Sequence, residues 1–129
     1  MKLLLDTHAL VWLLEGDPQL SPQVRQEVAR PGAALWVSAA SLWELTIKVS
    51  LGKLSVAGGL SVVFNQVLPQ QRVNLLPVMP HHLLRLEPLP FHHRDPFDRL
   101  LAAQALAESL ILASKDEIFD AYGVARVWS

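Results

Sequence analysis

Five short apolar runs mark the chain, at residues 2–6, 34–38, 73–76, 110–114 and 124–128. They are nearly continuous rather than alternating, as expected of strands covered on both faces. Between them lie segments whose apolar residues recur three and four positions apart. His8 to Glu15 carries Leu10, Val11, Leu13 and Leu14 and ends at Gly16, with Pro18 beyond. Ser21-Pro22 reads as an N-cap followed by proline at the first helical position, predicting a helix to about Arg30. The segment 40–51 sets Leu42, Leu45 and Val49 on one stripe ahead of Gly52. Residues 59–68 and 80–87 also predict helices. The clearest start is Asp95-Pro96, opening a helix to about Glu108. This alternation of strands and helices predicts an α/β fold with a mostly parallel central sheet.

The 129 residues suit one domain, and 51% hydrophobic with 18% charged residues describes a well-packed globular chain. There is no cysteine, which excludes disulfides and thiolate metal sites and suits a reducing cytoplasm. Asp6 and His8 interrupt the apolar start too early for a signal peptide, and no run approaches the roughly 18 apolar residues of a membrane span. A cytoplasmic protein without a membrane partner is therefore expected. A net charge of −1 and a pI near 6.5 exclude the strongly basic nucleic-acid binders. Charge is uneven, however. His81, His82, Arg85, His92, His93, Arg94 and Arg99 crowd one stretch, a local basic rim compatible with a nucleic-acid substrate.

Four acidic residues change the picture. Asp6 follows the first strand, Glu44 lies in the 40–51 helix, Asp98 lies early in the helix after Asp95-Pro96, and Asp116 follows Leu112-Ala113-Ser114. In a parallel sheet, positions just after strands and in the first turns of helices converge on the carboxyl edge. Carboxylates about 5 Å apart at an effective dielectric of about 20 repel by roughly 3 kcal/mol per pair. Gathered there in ionised form, they require a cation. Oxygen ligands without cysteine favour Mg²⁺ or Mn²⁺. Such an ion lowers the pKa of bound water and stabilises charge in an in-line attack on phosphate.

Local roles compete with this reading. Asp6 is also placed to cap the helix that follows it, and Glu44 is spaced to pair with Lys48. With Asp95 as the cap, Asp98 takes the third helical position, on a face continued by the small residues Ala102, Ala105 and Ser109. Asp98 is thus read as the metal ligand and Asp95 as the cap. Asp116 is expected to cap a short helix ending near Gly123, with Asp120 one turn on as an outer ligand or an exposed residue. The pairs His81-His82 and His92-His93 are a weak zinc signal, because only one of two adjacent side chains in extended chain points to a given face. They are read as loop or substrate-contacting residues.

Taken together, the stretches Leu3-Leu4-Leu5-Asp6-Thr7-His8-Ala9, Val37-Ser38-Ala39-Ala40-Ser41-Leu42-Trp43-Glu44, His93-Arg94-Asp95-Pro96-Phe97-Asp98-Arg99-Leu100-Leu101-Ala102 and Leu112-Ala113-Ser114-Lys115-Asp116 resemble the PIN-domain ribonucleases of the VapC type, toxins of type II toxin–antitoxin pairs. The resemblance spans nearly the whole chain. It implies a single three-layer PIN-like domain over residues 1–129 and Mg²⁺- or Mn²⁺-dependent cleavage of RNA. It implies that Asp6, Glu44, Asp98 and Asp116 are the acidic quartet and that Ser114 supports them; beside them, Thr7, Lys48, Arg94, Arg99 and Asp120 are read from the residues themselves as candidates for support or substrate contact. It further implies a homodimer and an antitoxin covering the acidic cleft, with Leu51, Leu54 and Val56 as candidates for its docking groove or for the core.

Two other enzyme or signalling classes that begin with strand–Asp fit less well. A haloacid-dehalogenase-like phosphatase needs a second aspartate two positions after the first, where His8 stands. A receiver-like phosphoacceptor needs an adjacent acidic pair after the first strand, and Asp6-Thr7 supplies none. The remaining alternative is a catalytically silent PIN-like module that only binds protein.

Overall fold

In the computed structural model, which describes residues 1–129, the five apolar runs form strands β1 (Lys2–Leu5), β2 (Ala34–Ser38), β3 (Val73–Leu76), β4 (Ile111–Ala113) and β5 (Arg126–Val127). Every neighbouring pair is parallel, in the order β3-β2-β1-β4-β5. The expected α/β class with a parallel sheet is what the chain adopts. Leu5 of the central strand pairs with Val37 of β2 and Ala113 of β4. The next residues, Asp6, Ser38 and Ser114, therefore share the carboxyl edge of the sheet. The chain steps outward from β1 through β2 to β3, then returns to the other side of β1 for β4 and β5. The reversal leaves a crevice between the ends of β1 and β4, the usual ligand position in open α/β sheets.

Seven α-helices connect or follow the strands: α1 (Thr7–Glu15), α2 (Pro22–Ala29), α3 (Ala39–Ser50), α4 (Gly59–Val62), α5 (Leu68–Gln70), α6 (Pro80–Leu86) and α7 (Pro96–Glu108). The helix predicted over 59–68 is interrupted. Residues Val63–Val67 between α4 and α5 are π-helical, with the Leu68 N–H donating to the Val63 carbonyl. Pro69 accounts for the widened turn, since it offers no N–H and its ring crowds the carbonyl four residues back. The last strand is shorter than the run at 124–128 suggested, and Ser109 does not extend the small face of α7. It ends that helix in the left-handed region at φ 54, where the chain turns into β4.

Side chains of the sheet alternate between two cores, which makes the fold three-layered. Leu3, Leu5, Leu35 and Val37 pack with Leu10 of α1 and Val24 of α2 on one face. Leu4 and Leu112 pack with Leu101, Ala102 and Ala105 of α7, and with Phe119 and Tyr122, on the other. The small Ala102 and Ala105, both buried, let α7 lie close to the sheet. That approach brings the amino end of α7 to the strand edge. α3 leaves β2 and touches both α1 and α7, bridging the layers beside the crevice.

Leu4 is fully buried at the centre of the second core. Leu4→Ala is expected to lower stability by about 2–5 kcal/mol. Urea denaturation followed by circular dichroism measures this, and a loss below about 1 kcal/mol would contradict the central packing.

Candidate active site

The acidic residues are positioned by strand ends and helix turns. Asp6 ends β1, where its N–H donates to the Ala113 carbonyl at 3.1 Å, and its Oδ1 caps α1 by accepting from the Ala9 N–H at 2.7 Å. Asp95 caps α7, with Oδ1 accepting from the N–H groups of Phe97 and Asp98 at 2.8 and 3.4 Å. Asp98 is then the third residue of α7 and faces the crevice side, with its side chain 23% exposed. Asp116 caps the 3-10 helix Glu117–Tyr122 through Oδ1, which accepts from the Ile118 N–H at 3.0 Å. Glu44 is the sixth residue of α3 and lies 3.9 Å from the Lys48 ammonium, the expected pairing one turn apart.

These carboxylates feel one another. The Asp98 carboxyl is pushed up to about 7, chiefly by burial and then by Asp95, with Asp6 and Glu44 adding to the rise and His93 opposing it. Burial also raises Asp6, opposed by hydrogen bonds from Ser114 and the Ala9 N–H and by His8, with Glu44 raising it again. Asp98 and Asp116 are joined through the imidazole of His93. Its Nε2 lies 3.0 Å from Asp98 Oδ2 and 2.8 Å from Asp116 Oδ2. Asp98, Asp116 and His93 thus set ligand atoms within 4.8 Å of one another, while Asp6 and Glu44 lie near enough to raise the Asp98 pKa but are not part of that close group.

His93 escaped the sequence reading as a cluster member, although it stands two residues before the Asp95 cap. Its Nδ1 accepts from the Asp95 N–H at 3.1 Å, so the ring proton sits on Nε2, between the two carboxylates. Its own N–H donates to the Tyr122 hydroxyl at 2.8 Å, and its ring rests near Phe119. Ser114, fully buried, accepts from the Asp116 N–H at 3.1 Å, and its hydroxyl lowers the Asp6 pKa. Thr7 is buried with its hydroxyl unpartnered inside the protein.

The donor set fits a hard divalent cation. It is built from carboxylate oxygens, it includes two carboxyls whose burial disfavours charge, and an unpartnered hydroxyl lies beside Asp6. Two openings reach the cluster. One of about 460 Å³ is lined by Glu44, Lys48, Lys53, Arg94 and Phe97 among others, and one of about 350 Å³ by Asp6, His8, Trp12, Gln19, Lys115 and Asp116.

The PIN domain family profile matches residues 3–125. The chain belongs to the PIN domain family. No curated protein matches it. Solved structures share the fold of this PIN domain over almost its full length. VapBC2 from Rickettsia felis, bound to a DNA fragment from its promoter, superposes with a TM-score of 0.76 at 19% identity, covering 98% of each chain. FitAcB from Neisseria gonorrhoeae gives 0.68 at 21%, covering 98% of this chain and 96% of that one. VapBC-1 from nontypeable Haemophilus influenzae gives 0.67 at 19%, covering 99% and 98%.

Other singled-out residues lie elsewhere in the PIN domain. The Arg99 guanidinium donates to the Leu89 carbonyl at 2.9 Å and stacks 3.9 Å from the Phe91 ring, bracing the loop before α7. Asp120 is clamped by Arg126 at 2.9 and 3.0 Å, which lowers its pKa. Leu51 is exposed beside the larger opening, Leu54 is half-buried, and Val56 packs on the first core. His81 and His82 correct the idea that adjacent histidines diverge, because they lie on a helix and both reach Glu108 Oε1 at 3.4 Å. His82 Nδ1 accepts from the Met79 N–H at 3.0 Å, so its Nε2 carries the proton toward Glu108 and has no lone pair for zinc. No helix is long and apolar enough to cross a membrane.

The raised pKa of Asp98 has a definite sign for stability. Folded chain keeps a proton there that unfolded chain loses above about pH 4. Without metal, the stability contributed by this group is therefore full below about pH 4 and is lost as pH rises to about 7. Melting in EDTA between pH 5 and 8 should show this decline, and Asp98→Asn should flatten it. A cation displaces that proton, so added Mn²⁺ should raise the melting temperature more at pH 8 than at pH 5.

Proposed function

We propose that this PIN domain is a cytoplasmic Mg²⁺- or Mn²⁺-dependent endoribonuclease and the toxin of a type II toxin–antitoxin pair. The reading is supported most by the meeting of Asp98 and Asp116 at His93, with Asp6 and Glu44 near enough to raise the Asp98 pKa. Such an arrangement is unfavourable on its own and is relieved by a divalent cation. When bound, that cation supplies a water of lowered pKa and offsets charge on the phosphate under attack.

The chain's own residues divide the remaining work. Asp6, Glu44, Asp98 and Asp116 hold the ion. Ser114 and the Nε2–H of His93 orient the carboxylates, with the Thr7 hydroxyl free to join them. Lys48 and Arg94, at the larger opening, meet substrate phosphates. Arg99 and Asp120 carry no part in this proposal, since their side chains are engaged elsewhere. Fold neighbours that are toxin–antitoxin assemblies, such as the Klebsiella pneumoniae toxin–antitoxin complex with a TM-score of 0.60 at 16% identity, support a cognate antitoxin as partner, and a homodimer accords with the VapC-type resemblance.

Asp98→Asn is expected to reduce Mn²⁺-dependent RNA cleavage beyond the roughly 10–100-fold typical of residues that only orient metal ligands. Asp95→Asn should leave cleavage intact and lower stability by about 1 kcal/mol or less. Gel assays on RNA with melting of both variants measure this, and the reverse pattern overturns the assignment of α7. Ser114→Ala should weaken Mn²⁺ binding by about 10–100-fold, read by calorimetric titration. Purified protein that cuts no RNA with Mn²⁺, yet binds a small partner tightly, would instead identify a silent protein-binding module.

A further inference from the structure

Two aromatic side chains flank the acidic cluster without being used by it. Trp43, immediately before Glu44, is 63% exposed, and Phe97, immediately before Asp98, is half-buried. Their rings meet edge to face with centroids 5.1 Å apart. Phe97 also lines the larger opening together with Lys48, Lys53 and Arg94. Lys48 is paired with Glu44, whereas Lys53 and Arg94 have no ion-pair partner. At φ 71, Gly52 ends α3 so that the Lys53 N–H returns to the Lys48 carbonyl at 2.9 Å, and both lysines line the same opening.

An exposed tryptophan near an arginine also suits a protein interface, where both are enriched. This tryptophan, however, directly precedes Glu44 of the acidic site and touches Phe97, which lines the opening with the unpaired cations Lys53 and Arg94. It is a good match for unpaired nucleotides, whose bases stack on aromatic faces while cations follow the phosphates. The opening that Phe97 lines, of about 460 Å³, falls in the range of small-ligand sites, and Trp43 adjoins it through Phe97 without lining it.

We propose that Trp43 and Phe97, with Lys53 and Arg94, form a subsite for one unpaired nucleotide of the RNA beside the cleaved phosphate, its base stacked on the Trp43 indole. The inference rests on the ribonuclease reading and makes this subsite a determinant of where a single strand is cut. Duplex RNA, with its bases already stacked, is a poor occupant.

The test is steady-state cleavage with Mn²⁺ by the full chain, its Trp43→Ala variant and its Trp43→Phe variant. The substrates are one single-stranded RNA and a series carrying an abasic nucleotide at each position around the cut. In the parent protein, one abasic position should raise KM about 10–100-fold. In Trp43→Ala the intact RNA should show that same rise and the abasic position should add nothing, while Trp43→Phe should keep most of the effect. Because Trp43 is exposed, unchanged urea midpoints are expected for both variants.

A KM for Trp43→Ala within about twofold of the parent, or an abasic penalty that survives in that variant, overturns the subsite. A change in native mass with KM unchanged also overturns it and assigns the aromatic pair to contact between two copies. Absence of cleavage by the parent protein itself removes the ribonuclease reading and the subsite together.

Discussion

Asp6 and Asp98 are held where water cannot fully solvate their charge, within reach of each other and of Glu44. Repulsion between them is built in by the backbone. The parallel register places Asp6 and Ser114 at equivalent ends of β1 and β4, and the close seating of α7 brings Asp98 across from them. A fold selected for stability alone would put an amide or an alanine at one of these places. Retaining all the carboxylates makes sense when a divalent cation joins them, because the desolvation that penalises each isolated charge strengthens its hold on the ion.

The same side chains serve the fold and the site. Asp6 and Asp116 each use one oxygen to cap a helix, and Asp116 turns its other oxygen toward His93. Capping and ligation are therefore not competing explanations, since a carboxylate has two oxygens and each can take one task. α7 divides the tasks between two residues instead. Asp95 is occupied by the N–H groups of Phe97 and Asp98, which leaves Asp98 for the crevice.

Around this negative centre the charge reverses. Lys48, Lys53 and Arg94 border one opening and Lys115 the other. A chain of net charge −1 lacks the overall basic field of a nucleic-acid binder, yet a phosphate backbone crossing the crevice would meet cations on both sides. The aromatic pair Trp43–Phe97 stands beside one of the two openings, with Phe97 in its lining. The positive charge of this chain is thus a matter of local placement rather than of bulk balance.

The apolar runs, the Asp95 cap and the order of the four acids were legible in the chain because they depend on contacts within about four residues and on strand ends falling on one edge. The π-helical turn before Pro69 was missed, although proline marks its position. What packing alone decided involves distant partners. His93 meets Asp116 across 23 positions, His81 reaches Glu108 across 27, and Arg99 and Asp120 are drawn away by Leu89 and Arg126. Periodicity and caps record backbone preference, which is local, so they locate side chains on elements. Whether a flexible arginine or a loop histidine then turns into the crevice or onto a neighbouring carbonyl depends on which surfaces the layers bring within 3 Å or so, a choice made only once the cores have closed.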